Sequence, residues 1–462
     1  MRFDVAIIGA GPAGISAAVE SRALGLSVLV LDEGRAPGGR VWESVEDRAR
    51  AQVPPGERPF TDEDAKAAGL VAEFRRCGAA IHLDATVWAI EPGRAILWSD
   101  GDVARKSLAS RIIVATGTME RPFTVAGWTL PGVMSVGAAQ ILLKSGGLVP
   151  DEDTWIAGQG PLLLLYVNQV LQAGGRIAGI LDLSKPDWLK CLLHFPHALT
   201  MPSYLLKGLV WRYRIWRAGI EWIGASSLGA RGAGKLERIS FRSKNGDETR
   251  AAGMLLLHDG VVPQTSITRA LDCAHVWDDD ERCWRPRSND WGQTSEEDIF
   301  VAGDGAFVAG QEAAALGGRL AAIGVAYSLG RLSRAARDER AAPLRKSYRR
   351  YAGVRKILRA LFPPVRNELD DDAIVCRCEE VTAGELRKAA ALGCLGLNQL
   401  KTFTRCGMGP CQGRMCGPAG TAILAAARGV SESEIDQIKV RVPFKPVPLG
   451  QIASLHEDGG AR

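Results

Sequence analysis

The sequence predicts an alternating α/β protein: two parallel-sheet units followed by a small helical module. Three observations carry this. Strand–glycine–helix units stand at "DVAIIGAGPAG" and at "TWIAGQGPLLLLYVNQVLQAGGRIAGILD". Further strands with glycine stops follow at "RIIVATG", Arg111–Gly117, and at "IFVAGDG", from Ile299. Six of the ten cysteines fall between Cys376 and Cys416. Alternation of β and α elements argues a parallel sheet flanked by helices.

At 462 residues the chain is too long for one core, so two or three domains are expected. The first unit spans 1–117 and 260–330, and the second is inserted at 118–259. Residues 331–368 are expected to form a basic linker helix, 369–430 the cysteine module and 431–462 a tail. Apolar content of 46% and charged content of 24% are ordinary for a globular protein. A net charge of +5 does not indicate a nucleic-acid partner. No apolar run reaches a membrane-spanning length of about 18 residues. The start Met1-Arg2-Phe3-Asp4 lacks the layout of a signal peptide. Cysteines clustered at one end are unlike a secreted disulfide scaffold, so the cytosol is the expected compartment.

Gly9, Gly11 and Gly14 form G-x-G-x-x-G between a strand and a helix. The first allows the tight turn, the second lets backbone approach a pyrophosphate, and the third lets helix and strand pack. Pro12 opens the helix, and free N–H groups from Ala13 onward then face the phosphates. Asp32, followed by Glu33, ends the next strand 18 residues past Gly14, where a carboxylate can bind ribose hydroxyls.

In the second unit Gly158 and Gly160 are present, but Leu163 holds the third glycine position. Leucine there is expected to push the helix off the strand. Asp182 ends the following strand. The ligand is left open between NAD(P)H, another adenine nucleotide and an empty structural pocket. Trp211, Trp216 and Trp222, with Arg212, Arg214 and Arg217, read as a partly buried helix, with an interface as the alternative.

Residues 331–366 carry twelve Lys/Arg, with only Asp338 and Glu339 as acids. Leu344, Tyr348, Tyr351, Leu358 and Leu361 recur near helical spacing, and Pro363-Pro364 ends the run. A solvated linker helix is expected. The alternative is a docking surface for an acidic partner or for the anionic inner face of the cell membrane.

The cysteines read C-x-C, a gap of 27 residues, then C-x4-C. Thiolates suit iron–sulfur clusters, zinc or Cu(I). Zinc knuckles use wider spacing than C-x-C, because the loop wraps one tetrahedral ion. The glycine-rich "CGMGPC" loop can offer backbone N–H groups to sulfides. Candidate ligands are Cys376, Cys378, Cys406 and Cys411. Cys394 and Cys416 are spare, with Cys416 in place of Cys411 as the alternative.

Residues 1–330 resemble the two-dinucleotide flavoprotein disulfide-reductase superfamily. The matching segments are the first glycine motif, "ATG" at Ala115, Thr116 and Gly117, and "VAGD" ending in Gly303-Asp304. The resemblance implies FAD, with Asp304 on the ribityl chain and Gly38, Gly39 and Arg40 running along the flavin. Cys77, Cys191, Cys273 and Cys283 form no pair of the disulfide-reductase kind, so a redox dithiol is not expected. Residues 374–425 look like the bacterioferritin-associated-ferredoxin-type 2Fe–2S domain. The whole chain, with "CRCEEVTAGELRKAA" and "NQLKTFTRCGMGPCQGRMCG", is similar to FAD- and cluster-bearing α subunits of heteromeric amine dehydrogenases. These include opine oxidase, hydrogen cyanide synthase and D-hydroxyproline dehydrogenase. That resemblance implies a β subunit with its own flavin that oxidises the C–N bond, and in some cases a small γ subunit with a further cluster. The expected role is electron transfer. The rivals are a self-contained NAD(P)H-dependent FAD/2Fe–2S reductase and a non-enzymatic assembly subunit.

Overall fold

The computed structural model describes residues 2–50, 62–91, 93–151 and 153–455. The strands Ala80–His82, Val28–Leu31, Arg2–Ile8 and Val103–Val114 lie side by side in parallel. Ile299–Val301 joins Val103–Val114, also in parallel, and an antiparallel ribbon of Ala95–Asp100 and Ala85–Glu91 completes the sheet. Val5–Ile8 and Val28–Leu31 are continuously apolar and buried, as strands covered on both faces must be.

The helix Pro12–Ala23 starts directly after the first glycine turn, with proline at its start where no N–H is needed. It packs on the small-residue helix Gln311–Ser328. A Cβ at Gly318 would lie 2.0 Å from the Ala13 carbonyl oxygen, so this close crossing requires glycine.

The second sheet runs Gly246–Ala251, Arg238–Ser243, Glu221–Arg231, Gly179–Asp182, Thr154–Gln159, Met254–Asp259, Val133–Ser135. The short strands Thr118–Glu120 and Val261–Pro263 pair where the chain passes between units. Leu163 does not splay its helix into solvent. It is buried with Ile156, Val167, Ile180 and Leu256.

Two expectations are corrected here. The basic segment is a 28-residue helix, Arg334–Leu361, capped by Ser333, but it is not a solvated linker. Ala341, Leu344, Gly353, Val354, Ile357 and Ala360 are buried. Arg340 joins Arg319 on the buried Glu20, while Arg355 and Arg359 both reach Glu281. Exposed cations remain at Lys346, Arg349, Arg350 and Lys356. The tryptophan-rich stretch is not one partly buried helix. Trp216 is exposed at the end of the helix Pro202–Arg217, and Trp222 lies on the strand Glu221–Arg231.

The cysteine module has two short strands, Ile374–Cys376 and Val381–Thr382, and three helices, Ala383–Ala391, Leu397–Thr404 and Gly417–Arg428. Its core extends from Leu369 to Ile438. The tail then crosses back. Val440 and Phe444 enter the core of the first unit, and Val447 and Leu455 pack beside Trp88 and Leu97. Residues 456–462 of the expected tail lie outside the described residues.

Candidate functional site: the dinucleotide groove and the cysteine cluster

Three segments far apart in sequence converge on the first glycine turn. Gly9 has φ +108°, and a Cβ there would meet the Ala115 carbonyl oxygen at 2.5 Å. Gly14 is tighter still, with its own Cβ position 1.8 Å from the Gly9 oxygen. Gly39, at φ +57°, comes within 3.0 Å of the Gly11 Cα, measured from its Cβ position. Gly303, at φ +69°, abuts the Ala13 side chain. Among the described residues, the one atom beyond its chain neighbours that a Cβ at Gly11 would approach is Gly39 Cα, at 4.0 Å. The space over Gly11 is thus open to a ligand, while its neighbours are closed by protein.

The carboxylates divide their work. Asp32 accepts from the backbone N–H of Ala10 and, at 2.7 Å, of Gly34. It holds the turn, and burial pushes its carboxyl above the usual range. Glu33 is about half exposed and pairs with Lys445 from the tail. Asp304 accepts from Ala309 N–H at 2.9 Å and Gly310 N–H at 3.1 Å, which fixes the start of the helix Gln311–Ser328. Burial raises its pKa as well. Arg40 is exposed and leans on Glu43 at 3.6 Å. Thr116 Oγ1 donates to the Gln264 carbonyl at 3.4 Å, and the Gln264 N–H donates to Gly117 O at 2.9 Å.

The cysteines gather differently from expectation. The sulfurs of Cys376, Cys406 and Cys416 lie within 4.8 Å of one another, all buried. Cys378 and Cys411 stand 3.9 Å apart at the more exposed side. Cys416, expected to be spare or to take the place of Cys411, stands with the Cys376 and Cys406 thiols just before the helix Gly417–Arg428 begins. Cys394 is buried with its thiol turned to the Gly396 carbonyl. The hydrogen bond with Cys416, then burial, pushes the Cys376 thiol up, against the N–H groups of Gly407 and Glu379. At Cys416 the bond with Cys376 acts downward, but Cys406 and burial outweigh it. Soft donors crowded in a buried site, with backbone N–H groups aimed at them, fit a cationic iron–sulfur centre that would displace their protons. A Cβ at Gly409 would collide with Cys378 at 2.2 Å, so the glycine of this loop makes room for the ligand beside it.

A cavity of about 440 Å³ lies beside the cysteine loop, bordered by Met119, Gln264, Thr265, Arg269, Arg414 and Ile438. Arg121 and Asp259 line it and form a buried ion pair at 3.5 Å. Sequence reasoning did not single these residues out. Beneath the second glycine turn, His258 Nδ1 meets Glu120 Oε1 at 2.5 Å, another pair missed for lack of any motif. Asp182 is engaged within the protein, accepting from Ser184 N–H at 2.9 Å and Trp222 Nε1 at 3.1 Å. Cys77, Cys191, Cys273 and Cys283 stay apart as free thiols. Burial pushes the Cys283 thiol up to about 11, far from a redox nucleophile.

Residues 3–153 match the pyridine nucleotide-disulphide oxidoreductase family, and residues 374–426 match the BFD-like [2Fe-2S] binding domain. The chain is 38% identical to the A-subunit of opine oxidase from Rhizobium meliloti, over 98% of this chain and 99% of that one. It is 31% identical to hydrogen cyanide synthase subunit HcnB of Pseudomonas aeruginosa, over 98% and 99%. Its fold is that of L-proline dehydrogenase from P. horikoshii, with a TM-score of 0.70 at 19% identity, over 98% of this chain and 79% of that one. Thioredoxin reductase of T. acidophilum shares the fold over 71% of this chain and 99% of its own, with a TM-score of 0.51 at 20% identity. The chain is an FAD- and 2Fe–2S-bearing oxidoreductase, and it belongs to the opine oxidase A-subunit family.

Proposed function

We propose that this chain is the electron-transfer subunit of a multisubunit dehydrogenase acting on a secondary amine or amino acid such as an opine. The C–N bond is oxidised in a partner subunit with its own flavin, and a small cluster-bearing subunit completes the assembly. FAD supplies two-electron acceptance with one-electron release, and the 2Fe–2S centre supplies one-electron carriage.

The observation that carries this reading is the continuous contact between the two sites. Gly117 is hydrogen-bonded to Gln264, which opens onto the short helix Ser266–Ala270. Arg269 of that helix donates to the Ile438 carbonyl, and Ile438 packs on Gly407 and Gly413 of the cysteine loop. Gly11 leaves room for pyrophosphate, Asp32 fixes the turn, and Glu33 is the freer carboxylate for ribose. Asp304 is positioned for the ribityl chain. Cys376, Cys378, Cys406 and Cys411 remain the proposed ligands, with Cys416 in contact with them. No His–carboxylate constellation for amine chemistry borders the groove among the described residues, which supports a relay.

The test is anaerobic: the chain alone and the chain with its co-expressed flavin partner are mixed with opines, hydroxyproline or glycine. Flavin and cluster bleach only when the partner is present. Robust dye reduction by the isolated chain overturns the relay reading. A self-contained reductase is favoured by one feature, the glycine turn at Gly158–Gly160 with Asp182 at the next strand end. It requires NAD(P)H to reduce the isolated chain.

A further inference from the structure

The consecutive helices Trp188–Leu199 and Pro202–Arg217 are amphipathic in the wrong sense for a water-facing surface. A surface helix normally buries its apolar stripe and shows polar residues to solvent. Here Leu189, Leu192, Leu193 and Leu199 recur at helical spacing on the exposed side, each at least 60% accessible. The second helix repeats this with Leu206, Leu209, Tyr213 and Trp216. The inward positions are filled by Cys191, Ala198 and Ile215. The hairpin is held firmly from behind: His197 lies against Gly353 of the long basic helix, and Tyr204 donates to Glu312 at 3.0 Å.

Charge identifies the occupant. From Trp188 to Arg217 there is no acidic residue, but Lys190, Lys207, Arg212, Arg214 and Arg217 are present. Lys190 and Lys207 are paired with Asp280 and Glu63. Arg214 and Arg217 meet no carboxylate among the described residues, and both are exposed next to Trp216. The neighbouring long helix adds exposed Lys346, Arg349, Arg350 and Lys356. Leucines between tryptophans, with unpaired cations and no acid in the hairpin, match the requirements of an interfacial helix. Apolar side chains enter the acyl boundary, the indoles sit at headgroup level, and the cations face lipid phosphates.

We propose that this hairpin is a monotopic docking surface for an anionic lipid bilayer. The proposal does not depend on the direction of electron flow. No helix among the described residues is long and apolar enough to cross a membrane, so attachment is to one leaflet.

The experiment is flotation of the full chain, loaded with FAD and iron, on vesicles of phosphatidylcholine with or without phosphatidylglycerol. The expected result is binding to the phosphatidylglycerol vesicles, weakened by salt because surface charge is screened. Leu192→Glu with Leu209→Glu should lower the partition coefficient at least about tenfold. Arg214→Ser with Arg217→Ser should lower it several-fold while leaving the apolar stripe intact. Flavin and cluster absorbance verify folding in each variant. The proposal is overturned if the wild type does not float, if the glutamate variant floats like the wild type, or if the two lipid mixtures bind alike. It is also overturned if the glutamate variant loses its co-purifying partner subunit and the intact complex ignores vesicles. The face would then be a protein interface.

Discussion

Arg269 Nη1 donates to the Ile438 carbonyl at 3.0 Å, and this bond joins the flavin-bearing unit to the floor of the cysteine loop. No carboxylate neutralises Arg269 among the described residues. Burial and the Arg414 guanidinium hold its pKa down, to about 10. It remains a cation at neutral pH, placed where an added electron is stabilised. Taking about 10 Å and an effective dielectric of about 20, one such charge is worth roughly 1.7 kcal/mol, or roughly 70 mV for a one-electron couple. Arg269→Met should lower the cluster midpoint potential by tens of millivolts with iron content unchanged. Redox titration followed by electron paramagnetic resonance measures this, and an unmoved potential excludes the electrostatic role.

Gly11 and Gly14 should separate ligand binding from folding. Valine at Gly11 meets little protein but occupies the pyrophosphate space. The variant should fold and lose FAD. Alanine at Gly14 drives a methyl into the Gly9 carbonyl and should destabilise the unit by several kcal/mol, as overpacking does at about 1–3 kcal/mol or more. Flavin stoichiometry and thermal unfolding, measured on both, give the comparison.

Five thiols share a site that needs four ligands. With Cys376, Cys378, Cys406 and Cys411 as ligands, Cys416→Ser should keep iron and sulfide; loss in Cys416→Ser with retention in Cys411→Ser would put Cys416 in place of Cys411. Serine at any one of Cys376, Cys378, Cys406 and Cys411 should weaken or remove the cluster, and Cys394→Ser should be silent. Iron and sulfide content of the six single variants reports this directly. Zinc at one per chain without iron would refute the cluster.

NADH and NADPH should reduce the isolated chain poorly. Leu163 fills the close-packing position with apolar core, and Asp182 is already engaged by Ser184 and Trp222. Stopped-flow mixing without oxygen is the measurement, and flavin bleaching on a catalytic timescale would promote the reductase reading.

His275 sets an acid limit. Burial lowers its pKa to about 4. The ordinary value is about 6.5, so the unfolded chain takes up a proton that the folded chain refuses. Stability therefore falls as pH drops from about 6.5 to about 4, by up to about 3 kcal/mol. His275→Gln should flatten that limb of a plot of Tm against pH.

The glycine turns were legible in the sequence because their constraints are local. Positive φ at Gly9 and contact at Gly14 dictate residue type whatever surrounds them. The cysteine pattern was legible as chemistry but not as geometry. Cys411 and Cys416 follow at the same x4 spacing, and only the turn at Gly413 and the helix start decide where each sulfur points. The basic helix was misread because its arginines answer to Glu20 and Glu281, acids far away in sequence. Trp216 was expected inside by its type, since neither composition nor spacing says which stripe of a doubly apolar helix is covered.

The strap from Val440 to Leu455 has a consequence for biogenesis. A nascent chain that ends near residue 430 already contains every cofactor ligand proposed above. It lacks the Phe444 side chain, whose removal from a core costs about 3–5 kcal/mol, and it lacks the Lys445 counter-charge for Glu33. The first unit is thus sealed by a segment that follows the cysteine module in the chain. Termination or proteolysis before this segment should release chains that bind cofactor loosely, so the holoprotein is secure only once the strap has been made.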